Sequence, residues 1–383
     1  MKKRVLWGVL AVLIILAASV SASMGESAVP EAKSLSLNQA IELAMKDNAQ
    51  VELAGLGVEK AALELERKEF AKRKALNKIG TTETNMLGGT SVVRIDQSTA
   101  KTIDVDPVLA QSQKIVADVT KSYTENSIKY GVEAAYYGVL RSEKMLETAQ
   151  SSFKRAQEQL KQAQAKFKAG TVAKIDVISA EAELQSAEAS VNEAEAGLQK
   201  AKMNLNQTLN LDLDTPLNLT DKFTFTTGEP IDVAKVIQEM MEKDKPFVAA
   251  REANHSSEVT MDYYKKYYTA NTFDYRSAAY AYKDAEVAFN TAKSNLELNI
   301  KAAYLDLKTA EDNYKVLTKS LEQAQEAYRL TKLRYDVGMA TGYDVLNAEA
   351  SLKQADLGLL NALYNYNLAK AKFTYGIFGS SSM

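Results

Sequence analysis

The sequence predicts a mainly α protein made of two tandem repeats of long antiparallel coiled helical hairpins, with at most a short, reduced β segment. Three observations carry this. A hairpin turn occurs twice, as Lys166-Phe167-Lys168-Ala169-Gly170-Thr171-Val172-Ala173-Lys174-Ile175-Asp176-Val177 and as Arg334-Tyr335-Asp336-Val337-Gly338-Met339-Ala340-Thr341-Gly342-Tyr343-Asp344-Val345. Gly170 and Gly338 stand 168 positions apart, and the offset holds without a gap on both sides. Around each turn, bulky and alanine positions alternate at heptad spacing, in a chain of 383 residues with only five prolines.

The bulk properties exclude several classes. The formal charge is −2 and no long basic block occurs, so nothing points to nucleic acid. Cysteine is absent, which excludes disulfides, thiolate zinc sites and a lipid-modified cysteine. The one histidine, His255, lies in a charged helical stretch and reads as a surface residue. No constellation of nucleophile, base and metal spacing emerges, so the chain reads as a non-enzyme without cofactor or metal. Residues 1–22 read as a secretory signal, with Lys2, Lys3 and Arg4 at the positive end and Val20-Ser21-Ala22 as the cleavage site. An uncleaved anchor is the alternative. No later stretch is apolar enough to cross a bilayer as a helix.

Residues 23–34 form a polar tether, and the first repeat occupies 35–211. Ser36 is placed as the N-cap of a short amphipathic helix, and Gln39 completes a capping box. Asp47-Asn48 breaks it, and a Glu-, Leu- and Lys-rich helix follows over 50–77. Residues 79–107 change character, with Gly80, Gly88 and Gly89 among Thr, Ser, Val and Ile. They read as two short strands, at 90–95 and 101–105, or as a polar loop. One helical pattern then runs over 109–167. Leu146, Phe153, Leu160 and Phe167 recur every seven positions, with Ala149, Ala156 and Ala163 between them. After the turn, Val177, Leu184, Val191, Leu198 and Leu205 continue the bulky layer, and Ala180, Ala187, Ala194 and Ala201 the small one. Alanine layers let backbones approach, while bulky layers bury apolar surface. An arm of ~50 residues is ~75 Å long, which suits a tube or stalk.

Residues 212–230 form a linker, with a turn at 212–216 and a candidate strand at 223–227. The second repeat occupies 231–379 and opens with a short amphipathic helix over 231–243. Pro246 starts the next helix. A stretch with Tyr263, Tyr264, Tyr267, Tyr268, Tyr275, Tyr280 and Tyr282 follows, with a break at 270–272. These tyrosines read either as an interfacial belt or as packing between helices. Ala302-Ala303-Tyr304 repeats Ala134-Ala135-Tyr136. The seam returns as Leu321, Tyr328 and Tyr335, then as Val345, Leu352, Leu359, Tyr366 and Phe373, with Ala348, Ala355, Ala362 and Ala369 between. Gly376 and Gly379 end the last helix. Ile41 and Ile237 are 196 apart, against 168 downstream, so the second repeat lacks the counterpart of the glycine-punctuated segment.

The opening Leu35-Ser36-Leu37-Asn38-Gln39-Ala40-Ile41, the two glycine turns followed by Asp-Val, the alanine-layered returning helices and the duplication together resemble the TolC-like outer-membrane efflux channels. The resemblance covers nearly all of the chain after the signal. It implies a homotrimer in which each chain forms one third of a hollow α-barrel, below a twelve-stranded β-barrel in the outer membrane. It implies a passive conduit in a tripartite efflux or type I secretion-like system, served by an inner-membrane pump through a periplasmic adaptor, the membrane fusion protein. The docking turns would be Gly170, Thr171, Val172 and Ala173, with Gly338, Met339, Ala340 and Thr341.

The same resemblance implies a gate. Tyr335 matches the family's latch tyrosine, Asp176 its aspartate partner and Asp344 a ring aspartate. Ala340 stands where a latch arginine is expected, and Asn347 where a second ring aspartate is expected. Asp176 and Asp344 also read as caps of the returning helices. Membrane strands need ~9–11 residues each and must close into a barrel. The first repeat offers two short candidates and the second almost none. The alternative function is therefore a structural helical envelope protein, a stalk or spacer without a membrane-spanning pore.

Overall fold

The structure, a computed structural model, describes residues 33–46, 48–84, 89–228 and 230–378. The signal segment, most of the tether, Asp47, Gly88 and Gly379 lie outside the described residues. Helix α1 (Leu37–Met45) starts with the expected capping box. Ser36 Oγ accepts the Gln39 N–H at 3.3 Å, and Gln39 Oε1 accepts the Ser36 N–H at 2.9 Å. Asn48 caps α2 (Ala49–Lys78) through the Gln50 and Val51 N–H groups.

The glycine-punctuated segment splits in two. Strands β2 (Thr82–Thr84) and β3 (Thr90–Val92) pair antiparallel, so the first candidate strand is present in shortened form. Residues 101–105 are not a strand. Helix α3 (Gln97–Ala100), a π turn (Lys101–Val105) and α4 (Asp106–Lys168) follow one another directly. Ala100 and Val105 bury against Tyr263, and that packing outweighs the β preference of Thr102, Ile103 and Val105. Pro107 in the first turn of α4 contributes no N–H, and the wider π turn precedes it.

Helix α5 (Lys174–Thr208) returns from the first turn. Strand β4 (Leu217–Leu219) pairs in parallel with β1 (Lys33–Leu35), with Lys33 opposite Leu217. Residues 223–227 do not form the expected strand. Side chains hold this segment instead. Phe225 stacks on Tyr314 at 4.3 Å between ring centroids, and the Tyr366 hydroxyl donates to the Thr226 carbonyl at 2.8 Å. Then come α6 (Val233–Met240), α7 (Lys245–Tyr267), α8 (Phe273–Asp336) and α9 (Gly342–Tyr375). Asp244 caps α7 and Thr272 caps α8. Gly376, at φ +65°, closes α9.

Each repeat is one long helix with two shorter helices laid along it. The 63 residues of α4 and the 64 of α8 make rods of ~95 Å. Helix α2 packs along one half of α4 and α5 along the other, and α7 and α9 do the same for α8. The start of α2 and the end of α5 meet beside Ile128 and Gly131 of α4. The alanine layer is the most deeply buried part of the seam: Ala149, Ala156, Ala163, Ala180 and Ala187 are buried. Leu146, Phe153 and Leu160 are only half-buried, which leaves apolar surface for a further neighbour.

A knot around Tyr136 fixes the start of the chain to the first rod. Tyr136 is fully buried among Val132, Val139, Leu35, Leu205 and Leu217. Its hydroxyl lies 3.0 Å from the Leu35 carbonyl oxygen and 2.9 Å from the Asp221 carboxylate. The Leu37 N–H donates to the same carboxylate at 2.6 Å. Burial pushes the Tyr136 phenol up to about 12, so it stays a neutral donor.

Candidate functional site

The two turns are built alike. Gly170 and Gly338 have φ of +71° and +78°, where an L side chain is strained. At the first turn the Gly170 N–H bonds to the Phe167 carbonyl at 2.9 Å and the Thr171 N–H to the Lys166 carbonyl at 3.0 Å. At the second, Gly338 bonds to Tyr335 at 3.1 Å and Met339 to Arg334 at 2.7 Å. Both are Schellman motifs, which satisfy the last carbonyls of the outgoing rod. Gly170, Thr171, Ala173, Gly338, Met339 and Thr341 are exposed, while Val172 and Ala340 are half-buried. Ile175, Val337 and Tyr343 add further exposed apolar side chains to the same end.

The returning helices start differently. Thr341 and Asp344 form a full capping box: Thr341 Oγ1 accepts the Asp344 N–H at 3.2 Å, and the Asp344 carboxylate accepts the Thr341 N–H at 2.8 Å. In the first copy only half of this exists. Asp176 accepts the Ala173 N–H at 3.1 Å, but Ala173 has no oxygen to return the bond. Ala173→Ser is expected to stabilise the protein by about 0.5–1 kcal/mol, seen as a higher urea midpoint at unchanged slope.

The structure brings Tyr335 and Asp176 together and leaves Asp344 and Asn347 apart from them. Tyr335 is 4% exposed and, with Asp176, Gln159 and Gly342, lines a cleft of about 190 Å³ between the hairpins. Burial raises the Tyr335 phenol above its ordinary value, and the Asp176 charge adds to this. Asp344 is exposed, and its bonds from the Thr341 backbone and hydroxyl hold its carboxyl below the usual range. Asn347 is exposed on the next turn of α9.

Several residues of this region were not singled out by sequence reasoning. Lys166 donates to the Tyr335 carbonyl at 2.7 Å, and its Nζ lies 3.5 Å from the centroid of the Tyr335 ring. It brings a cation to Tyr335 from the other hairpin, where Ala340 offers none. Further from the tips, Gln159 Nε2 reaches the Gly342 carbonyl at 3.5 Å, Arg155 Nε bonds Glu349 Oε1 at 2.8 Å, and Thr148 Oγ1 donates to Asp356 at 2.6 Å. Residues 148 and 155, then 159 and 166, are seven apart on α4. Their partners 356 and 349, then 342 and 335, run the opposite way at the same spacing. This is a heptad seam of polar groups binding one repeat to the other. Glu349 is buried, and its Oε2 finds no hydrogen-bond partner among the described residues. Burial and the Glu349 charge together raise the nearby Glu183 carboxyl.

Two duplicated helical hairpins with matched tips, joined by a polar seam, define a wall of long rods. That is the framework of the helical envelope channels. The chain belongs to the outer membrane efflux protein family, whose sequence profile matches residues 110–211 and 268–374. The matched stretches are the two hairpins. The solved outer membrane protein VceC of Vibrio cholerae shares the fold with a TM-score of 0.68 at 16% identity, over 90% of this chain and 96% of that one. The CmeC outer membrane channel of Campylobacter jejuni aligns at 0.64 and 16% identity, over 91% and 87%. The open state of the Neisseria gonorrhoeae MtrE outer membrane channel aligns at 0.66 and 16%, over 90% and 89%. No curated protein sequence matches. The family and these neighbours are channels, not enzymes.

Proposed function

We propose that the protein is the passive conduit of an envelope export system, of the tripartite efflux or type I secretion kind. Three copies form a hollow helical tube. The tips at Gly170–Ala173 and Gly338–Thr341 dock to a periplasmic adaptor that links the tube to an inner-membrane pump. The observation that carries this reading is the pair of matched Schellman turns, which place exposed apolar side chains at one end of ~95 Å rods. Trimer formation is supported by unpartnered apolar stripes. Val287, Leu298, Leu305, Val316 and Leu330 are all exposed on α8, within about 40° of one another at 100° per residue. Leu53, Leu56, Leu63 and Phe70 form a broader stripe on α2, about 100° wide at the same 100° per residue. On this reading Tyr335, Asp176 and Lys166 hold the hairpins together near the tips, and three copies of Asp344 favour cations at the entrance.

The absence of cysteine makes the test direct. Met339→Cys carrying a photo-crosslinker is expected to capture a helical-hairpin adaptor protein in the intact envelope, and the Gly170→Val/Gly338→Val double variant to lose export. Capture of no adaptor-type protein, with export intact in the double variant, removes the docking reading. The spacer reading is favoured by one observation, the short connections at the far end. Export from the intact envelope separates the two: a conduit exports and shifts its preference for charged cargo with Asp344→Asn, whereas a spacer does neither.

A further inference from the structure

We propose that the end opposite the tips seats on a lipid surface through a shallow apolar and tyrosine rim, without crossing the bilayer. This extends the conduit reading but is tested apart from it, because vesicle binding needs neither adaptor nor transport.

The first ground is chain length. Between α2 and α3 there are 18 residues, 79–96, and between α7 and α8 only five, 268–272. Two membrane strands of ~9–11 residues and a turn need more than ~20 residues. Neither connection supplies them, whatever its conformation. The pairing observed from Gly80 to Thr84 spans about 17 Å, against ~30 Å of hydrocarbon. An open, lipid-buried strand edge is also untenable, because its backbone groups lack partners.

The second ground is what the rim displays. The helix ends that carry the two connections are tied into one platform. The Tyr263 hydroxyl donates to the Gln97 carbonyl at 2.9 Å, and the Gln97 amide donates to the Tyr267 carbonyl at 3.0 Å. Tyr263, Tyr264, Tyr267 and Tyr268 cluster beside it, with the Tyr264 and Tyr268 centroids 4.7 Å apart. From this platform Val92, Ile95 and Phe273 project, with Phe273 88% exposed. Arg94 and Arg276 are exposed beside them. Apolar tips above a tyrosine platform, with guanidinium groups nearby, match the boundary between acyl chains and headgroups. The family is one of outer membrane efflux proteins, and the proposed docking occupies the tips, so this end is the one left to meet a lipid surface.

The test is flotation of the purified protein with vesicles of phosphatidylethanolamine and phosphatidylglycerol. The apolar segment 5–20 is removed so that it cannot supply the affinity. The protein is expected to float, to be released by alkaline carbonate, and to lose about tenfold or more in affinity with Phe273→Ser. Adding Val92→Ser and Ile95→Ser should abolish binding. Helical circular dichroism should stay unchanged, because all three side chains are exposed. Absence of flotation, flotation indifferent to these variants, retention after carbonate, or end-to-end pairing of tubes in place of vesicle binding would each overturn the proposal.

Discussion

Arg155→Ala is expected to destabilise the protein by about 3 kcal/mol, the low end for breaking a buried ion pair. Glu349 is almost fully buried and Arg155 keeps a quarter of its surface, so the loss falls on the carboxylate left behind. Arg155 also donates to Ser152 Oγ at 2.8 Å and lies 5.9 Å from the Tyr328 ring centroid, and both contacts vanish with it. The decisive comparison is the double variant Arg155→Leu/Glu349→Leu. Two apolar groups of similar volume leave no stranded charge, so its stability should return to near wild type. Urea unfolding at one fixed protein concentration, followed by circular dichroism, reads both. If Arg155→Ala costs under about 1 kcal/mol, the pair behaves as a solvent-screened surface bridge. The seam then does not bind the repeats.

Tyr136→Ala should cost about 3–5 kcal/mol, the range for removing a large ring from a packed core. Tyr136→Phe keeps the ring and loses only the hydroxyl, which joins Leu35 and Asp221. Its expected cost is about 1–3 kcal/mol, because the single O–H shared between the Leu35 carbonyl and the Asp221 carboxylate is lost to both. The difference between the variants separates packing from hydrogen bonding at the knot. A Phe variant as damaging as Ala would mean that the knot is held by the hydroxyl alone.

Much of the fold was legible because its signals are repeated. The turn glycines, the Ser36–Gln39 box and the Ala149-Ala156-Ala163 layer each state a local rule that the packing obeys. The errors have a common cause. Residues 101–105 carry β-branched side chains and read as a strand, but burial against Tyr263 makes them helical. Residues 223–227 alternate like a strand, yet they pair with no strand among the described residues, and aromatic stacking holds them. In both, long-range contacts outweigh a preference of about 1 kcal/mol or less. The tyrosine stretch could be read two ways, and its first members pack between elements: Tyr263 is buried against Ala100 and Val105, with Tyr264, Tyr267 and Tyr268 around it. The polar seam was invisible for another reason. Arg155, Lys166, Glu349 and Asp356 look like a solvated face when one helix is considered at a time. Only the antiparallel order of their partners shows that the face is shared.

The unbroken run of α4 and α8 past the joints of their shorter companions has a mechanical consequence. At mid-height, where α2 gives way to α5, each wall is splinted by its long rod. A force applied at the tips therefore acts on a lever arm of up to ~95 Å, and a tilt of about 2° at the far end moves the tip by about 3 Å. That displacement is as large as a hydrogen bond is long. The contacts from Thr148–Asp356 to Lys166–Tyr335 lie along the half of the lever that travels most, so small rotations far away are read out there first.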